Sequence, residues 1–373
     1  MRQECRGGED ILYYKDDWHK AKERLMALWE REIIDRCCIA VAAPKDGKTD
    51  VSVFAVGECD PNDPEDIKNY WEDGERILKR NIKRMENTFF GGEAIPQIML
   101  NFGTSGHAIY FGANYSYSKD TIWYSPIIDD WNTTPLSFND EHPFLKKQLE
   151  IAAYLAREGQ GKFFVSMPDN CGTLDAIAHL RGSENVLIDM VCASEKLKEA
   201  IKIVNRAWKE VSERFYRITS QCNEGGSTVG WMDTWAPGRH AQMQCDLSVM
   251  ISPAMYREFV VPELEDQMEW IEFPVYHFDG KEQIRHLEYL LSLPKLKMIQ
   301  WTNVAGQEPP TAFIPVFKRI QQAGKCLLIF CNPSEIPVLL SELSSRGLYI
   351  HTFASSVEEA KDILKYVEHN TRD

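Results

Sequence analysis

Apolar positions along the chain follow two periods. Over residues 18–35, Ala21, Leu25, Leu28, Trp29 and Ile33 recur at helical spacing, and a second helix starting near Pro64 carries Ile67, Trp71, Leu78, Ile82 and Met85 on one stripe. Beyond residue 94 the pattern changes to short β-type runs alternating with amphipathic helices. Strands are predicted at 95–100, 162–167, 228–232, 274–278, 296–301, 325–331 and 348–352. The plainest helix between them starts at a Ser194 cap and runs through Leu197, Ile201, Val204, Trp208, Val211 and Phe215; a last one covers 355–369. Repeated strand and helix over this length favour an α/β fold of the (β/α)8 TIM-barrel type, with a doubly wound sheet as the alternative. Residues 1–94 read as an N-terminal helical extension packed on the barrel, and residues 95–373 as the barrel itself.

Composition narrows the function classes. A chain with 44% hydrophobic residues has ample material for a core, and a formal charge of −14 argues against nucleic-acid or anionic-membrane surfaces, which bind through Lys and Arg. No run approaches the roughly 18 apolar residues of a membrane helix, and the opening Met1, Arg2, Gln3, Glu4, Cys5 is followed by polar residues, so a cytoplasmic location is expected. The ten cysteines are scattered with no CxxC pair, as for buried thiols in a reducing compartment. Neither a GxGxxG nor a P-loop pattern occurs, which counts against a nucleotide-binding sheet.

Candidate chemistry concentrates where strands end. Pro274-Val275-Tyr276-His277-Phe278-Asp279-Gly280 is an apolar strand that closes on an imidazole and a carboxylate two positions apart, hence on one side. The pair can bind a metal ion, divide acid and base roles, or be a hydrogen-bonded core pair beside a turn glycine. Gln300 and Trp301 end the next strand, able to hydrogen-bond and stack on a polar ring or to be core. Cys331 follows the strand after that and would complete a His277, Asp279, Cys331 zinc site with an open position, although a buried inert thiol is the commoner case. His351 ends the last strand. Upstream, Trp231 to His240 packs Trp235, Arg239 and His240 into a short segment before Asp246. Arg239 can grip a carboxylate or phosphate and Asp246 can serve as a base, or both can belong to a solvated loop. The aromatic stretch 103–131, with Tyr110, Trp123 and Tyr124, reads as a lid.

Two segments carry a family likeness. Residues 246–262, Asp246-Leu247-Ser248-Val249-Met250-Ile251-Ser252-Pro253-Ala254-Met255-Tyr256-Arg257-Glu258-Phe259-Val260-Val261-Pro262, resemble the signature ahead of the sixth helix in the uroporphyrinogen decarboxylase superfamily. Tyr276-His277-Phe278-Asp279-Gly280 resembles the H-x-C-G strand end of its corrinoid-dependent methyltransferases. The resemblance implies a (β/α)8 barrel with its pocket at the C-terminal strand ends. It also implies zinc held by histidine and cysteines, a corrinoid protein as partner, and a small methylated substrate; here Asp279 stands at the cysteine position, which suits oxygen chemistry better than thiol activation. The arginine-rich decarboxylase segment has its nearest string at Arg2-Gln3-Glu4-Cys5-Arg6, outside the expected context.

The reading that follows is a methyltransferase moving a methyl group from a small O- or N-methylated compound to a corrinoid protein. His277, Asp279 and Asp246 form its centre. Arg239, His240, Gln300, Trp301, Trp235, Tyr110 and Trp123 position substrate. A metal-free decarboxylase or lyase anchored by Arg239, or a non-catalytic ligand-binding barrel, are the alternatives, and a homodimer is the base-rate assembly.

Overall fold

The computed structural model describes residues 12–54, 57–170 and 172–372, so the Arg2–Arg6 string lies outside the described residues. Thirteen strands occur among the described residues: β1 (Cys38–Pro44), β2 (Thr88–Gly92), β3 (Gln97–Ile98), β4 (Asn114–Tyr117), β5 (Ile122–Ser125), β6 (Phe164–Val165), β7 (Ser227–Val229), β8 (Thr234–Ala236), β9 (His240–Met243), β10 (Phe273–Phe278), β11 (Met298–Trp301), β12 (Cys326–Phe330) and β13 (Leu348–Phe353). A seven-stranded sheet runs in the order β2, β1, β13, β12, β11, β10, β9 and is parallel except for β2. A parallel β3–β6 pair and the β4–β5 and β7–β8 hairpins complete the set. Among the described residues no hydrogen-bonded ladder joins β3–β6 to the main sheet.

Alternation along the parallel strands divides the core in two. Ile39, Tyr276, Phe278, Ile299, Trp301, Ile329 and Ile350 pack outward among the helices. Ala40, Val275, Met298, Leu328 and Tyr349 pack on the other face with Ile98, Val165 and the helix Trp18–Trp29. Both faces are covered, as parallel sheets require.

The division at residue 94 does not match the way the sheet is built. β1 lies between β2 and β13, so the first hundred residues supply two strands of the main sheet. Cys38-Ile39-Ala40-Val41-Ala42-Ala43-Pro44, buried on both faces, has no period-2 signal to betray it. The predicted helix from Pro64 is two helices, Pro64–Glu72 and Gly74–Glu86; Asp73 breaks the first and caps the second by accepting from the N–H groups of Glu75 and Arg76. Among the described residues no helix is long and apolar enough to cross a membrane.

Candidate functional site

The C-terminal ends of β9 and β10 bring His277, Asp279 and Asp246 together. His277 stands on the inner face of β10 opposite Gln300, with Nδ1 2.6 Å from Gln300 Oε1 and 3.0 Å from Thr302 Oγ1. An amide oxygen only accepts, so Nδ1 carries the hydrogen and Nε2 presents a lone pair. Asp279 is half-buried; its N–H donates to Gln283 Oε1 at 3.1 Å, and its carboxylate has no hydrogen-bond partner among the described residues. Asp246 opens the turn after β9 and accepts from Gln244 Nε2 at 3.1 Å. Burial raises its carboxyl above the usual range, while His277 pulls it back and Asp279 pushes it further, so the three groups share one electrostatic neighbourhood.

Asp246 also ends a chain of donors that all point one way. Trp231 Nε1 donates to Gln242 Oε1 at 2.6 Å, Gln242 Nε2 to Gln244 Oε1 at 2.7 Å, and Gln244 onward to the carboxylate. Aligned bonds of this kind polarise one another. Rings form a second row across the inner face. His277 meets Trp231 edge-on at 5.2 Å, Trp231 stacks on Phe330 at 5.8 Å, and Phe330 stacks on His351 at 4.2 Å. His351 Nε2 lies 3.0 Å from Asp233 Oδ2, on a residue held at φ 51°.

A carboxyl not anticipated from sequence completes the group. Asp175, in the first turn of the helix Thr173–Arg181, accepts from the N–H groups of Asp246 at 2.9 Å and Leu247 at 3.0 Å. Burial, then the nearby Asp246 charge, push its carboxyl well above the ordinary range. Gly172 allows this approach: a Cβ there would lie 2.2 Å from Gln244 O and 2.7 Å from Asp175 Oδ2.

Asp175 and Asp246 line one wall of a cleft of about 530 Å³. Trp123 and Tyr124 of β5, Ser105 and His179 also line it. Its residues follow β3, β6 and β9, so it opens beside the strand ends that carry His277. Tyr124 packs against His179 in a tilted ring pair at 4.4 Å and seats its hydroxyl over Gly103, where φ is +80° and a Cβ would lie 2.5 Å from that oxygen. No lysine or arginine lines the cleft among the described residues.

Other expected site residues lie elsewhere. Arg239 and His240 sit at the opposite, N-terminal end of β9, because 240–243 is a strand and not the loop that the Pro-Gly-Arg string suggests. Arg239 pairs with Glu272 at 3.2 Å, and His240 is buried between Thr234 Oγ1 and Phe273 O, its imidazole pushed down to about 4 by desolvation. Trp235 is core, donating to Asn223 O. Trp301 points outward onto Phe278, Phe313 and Phe317. Tyr110 is buried and bonded to Gln148. Trp123 is 64% exposed at the cleft rim. Gln300 holds His277 in place.

The donor set does not fit the expected zinc centre. Cys331 packs against the outward-facing core, whereas His277 stands on the inner face of β10. Among the described residues no three His, Cys, Asp or Glu side chains converge closely enough to hold a metal ion.

No protein-family model matches the chain, and no curated protein matches it by sequence. Among solved structures it is similar to a methyltransferase from Methanosarcina mazei, with a TM-score of 0.59 over 94% of this chain and 98% of that one. At 12% identity the likeness is one of fold: the chain shares the architecture of that methyltransferase over nearly its whole length.

Proposed function

We propose that this chain is a methyltransferase that moves a methyl group from a small O- or N-methylated compound to a corrinoid carried by a partner protein. The observation that carries the reading is the lining of the cleft: carboxyls, an imidazole and aromatic rings, with no lysine or arginine among the described residues. A carboxylated substrate finds nothing to grip there. The decarboxylase alternative depended on Arg239, which is paired to Glu272 at the far end of β9. The fold shared with the Methanosarcina methyltransferase and the resemblance of residues 246–262 and 276–280 point the same way.

The chemistry assigned to this chain is proton handling and enclosure. When the methyl leaves as a cation equivalent, the heteroatom keeps the bonding pair, and a neutral donor then needs a proton. For such a donor Asp246, held above the carboxylate range, supplies the proton, and His277, which shares its electrostatic neighbourhood, exchanges it onward; a cationic ammonium donor departs as a neutral amine and needs none, and Asp246 then serves as its counter-ion. The β4–β5 hairpin excludes water from the cleft. A corrinoid, when docked, would supply the nucleophile that takes the methyl; the rim residues Trp123 and Met250, 64% and 54% exposed, fit contact with a partner that carries it. In this reading β3–β6 closes the sheet into a barrel, supported by Gln97 Nε2 donating to Gly230 O at 2.9 Å and Asp233 Oδ1 at 2.8 Å.

The test is acceptor methylation, followed by absorbance, with free cob(I)alamin and a panel of methylated ethers and amines. Turnover that falls in His277→Asn at unchanged folding is the expected result. No methylation with any donor, alongside carbon dioxide release from a carboxylated probe, would replace the reading with the lyase.

A further inference from the structure

We infer that the cleft between the β4–β5 hairpin and the Asp175–Asp246 turn is built for a cationic methylated ammonium group, which makes the methyl donor an amine or quaternary ammonium compound and not a neutral ether. The inference deepens the methyl-transfer reading and rests on it for the ligand's role as donor, though not for the binding itself.

Three independent features converge. The cleft is walled by the rings of Trp123 and Tyr124, and aromatic faces attract a desolvated methylammonium through the ring quadrupole. The same lining holds two carboxyls, Asp175 and Asp246, and the charge of Asp279 acts on Asp246. The imidazoles near this space supply no competing positive charge. Desolvation lowers His179, which lines the cleft, and pushes His107 down to about 3. His107 lies fully buried in the turn beyond Ser105, both ring nitrogens without a partner among the described residues. A volume of about 530 Å³ suits a small amine with a short substituent.

The charge balance adds a pH signature. Asp175 faces Asp246 from its own helix, Glu263 from the helix Val261–Gln267 and the Cys245 thiol from the end of β9; Asp246 faces His277 and Asp279 from β10. Apart from His277 these neighbours oppose ionisation of the two carboxyls, and an arriving cation favours it. Binding therefore releases protons and tightens as pH rises.

The experiment is calorimetric titration of the full chain with choline and with its uncharged carbon isostere 3,3-dimethylbutan-1-ol, at two pH values. Choline is expected to bind at least tenfold more tightly, more so at the higher pH. Trp123→Ala and Asp246→Asn should each weaken it roughly 3- to 30-fold with circular-dichroism spectra unchanged; Trp123 is largely exposed, so its truncation leaves the fold intact. Equal binding of the two probes, or binding of neither, overturns the inference. Choline binding without methylation of any acceptor would sink the methyltransferase reading and leave the cation site standing. Methylation from an ether with no choline binding would do the reverse.

Discussion

The tautomer of His277 is set by its neighbours. Gln300 and Thr302 hold Nδ1, so Nε2 is the working atom, and the preceding Phe278 packs outward to keep the strand in register. Replacing His277 by Asn should lower methyl transfer from a neutral donor by about 10²–10⁴, the usual worth of a positioned acid–base group, and from an ammonium donor far less, with the melting temperature nearly unchanged because the side chain is only half-buried. A second prediction concerns Glu263, whose carboxyl accepts from the Thr173 N–H at 2.6 Å and is pushed up to about 7 by burial. A carboxyl that binds its proton more tightly folded than unfolded stabilises the fold fully below the ordinary carboxylate range. That contribution, about 3 kcal/mol, is lost as pH rises toward 7. Thermal melts at pH 5 and pH 8 should therefore show a drop in the wild type that Glu263→Gln largely removes. Residues of this kind differ in how visible they are from sequence. His277 and Asp279 stand out because a polar pair abruptly ends an apolar run. Asp175 does not: an acid in a helix's first turn is ordinary, and its partner Asp246 lies 71 positions away.

The β4–β5 hairpin is tied to the site by one glycine. At Gly103 the backbone has φ +80° and the Tyr124 hydroxyl descends into the space a Cβ would fill. Gly103→Ala should cost more than about 1 kcal/mol and weaken cleft ligands. Combining it with Tyr124→Phe, which removes the clashing oxygen, should recover part of both losses, a coupling measurable in a double-mutant cycle. The long parallel strands β10 to β13 were legible as elements because each is an apolar run bounded by turn residues. β9 was not. His240-Ala241-Gln242-Met243 follows Pro237-Gly238 and carries two polar side chains, yet lies against β10, where Gln242 faces the inner polar network. With that strand unrecognised, Arg239 was expected beside the site, whereas it stands at the opposite end of β9. Within the aromatic stretch 103–131 the β4–β5 hairpin was hidden by the exposure of Asn114, Tyr115 and Ser116 on one strand.

At the scale of the whole molecule, the sheet is unevenly held. β12 shares four residue pairs with β11 and four with β13, whereas β3 and β6 share two with each other and, among the described residues, are joined to the main sheet only through side chains and loops. Hydrogen exchange should accordingly be faster at residues 97–98 and 164–165 than at 326–330; equal protection would mean that the inner packing of Ile98 and Val165 holds those amides as firmly as a full ladder. The parallel alternation was legible in the chain, whereas the closing neighbours of β1 were not, because no local pattern announces a partner at the other end of the sequence. That partnership has a consequence during synthesis. β1 pairs with β13, about 310 positions downstream, so at roughly 5–20 residues per second the emerging strand waits on the order of 15–60 s for its neighbour. Throughout that interval one edge of an apolar strand is open on the ribosome, while β2, laid antiparallel along the other edge, covers that side within about fifty residues.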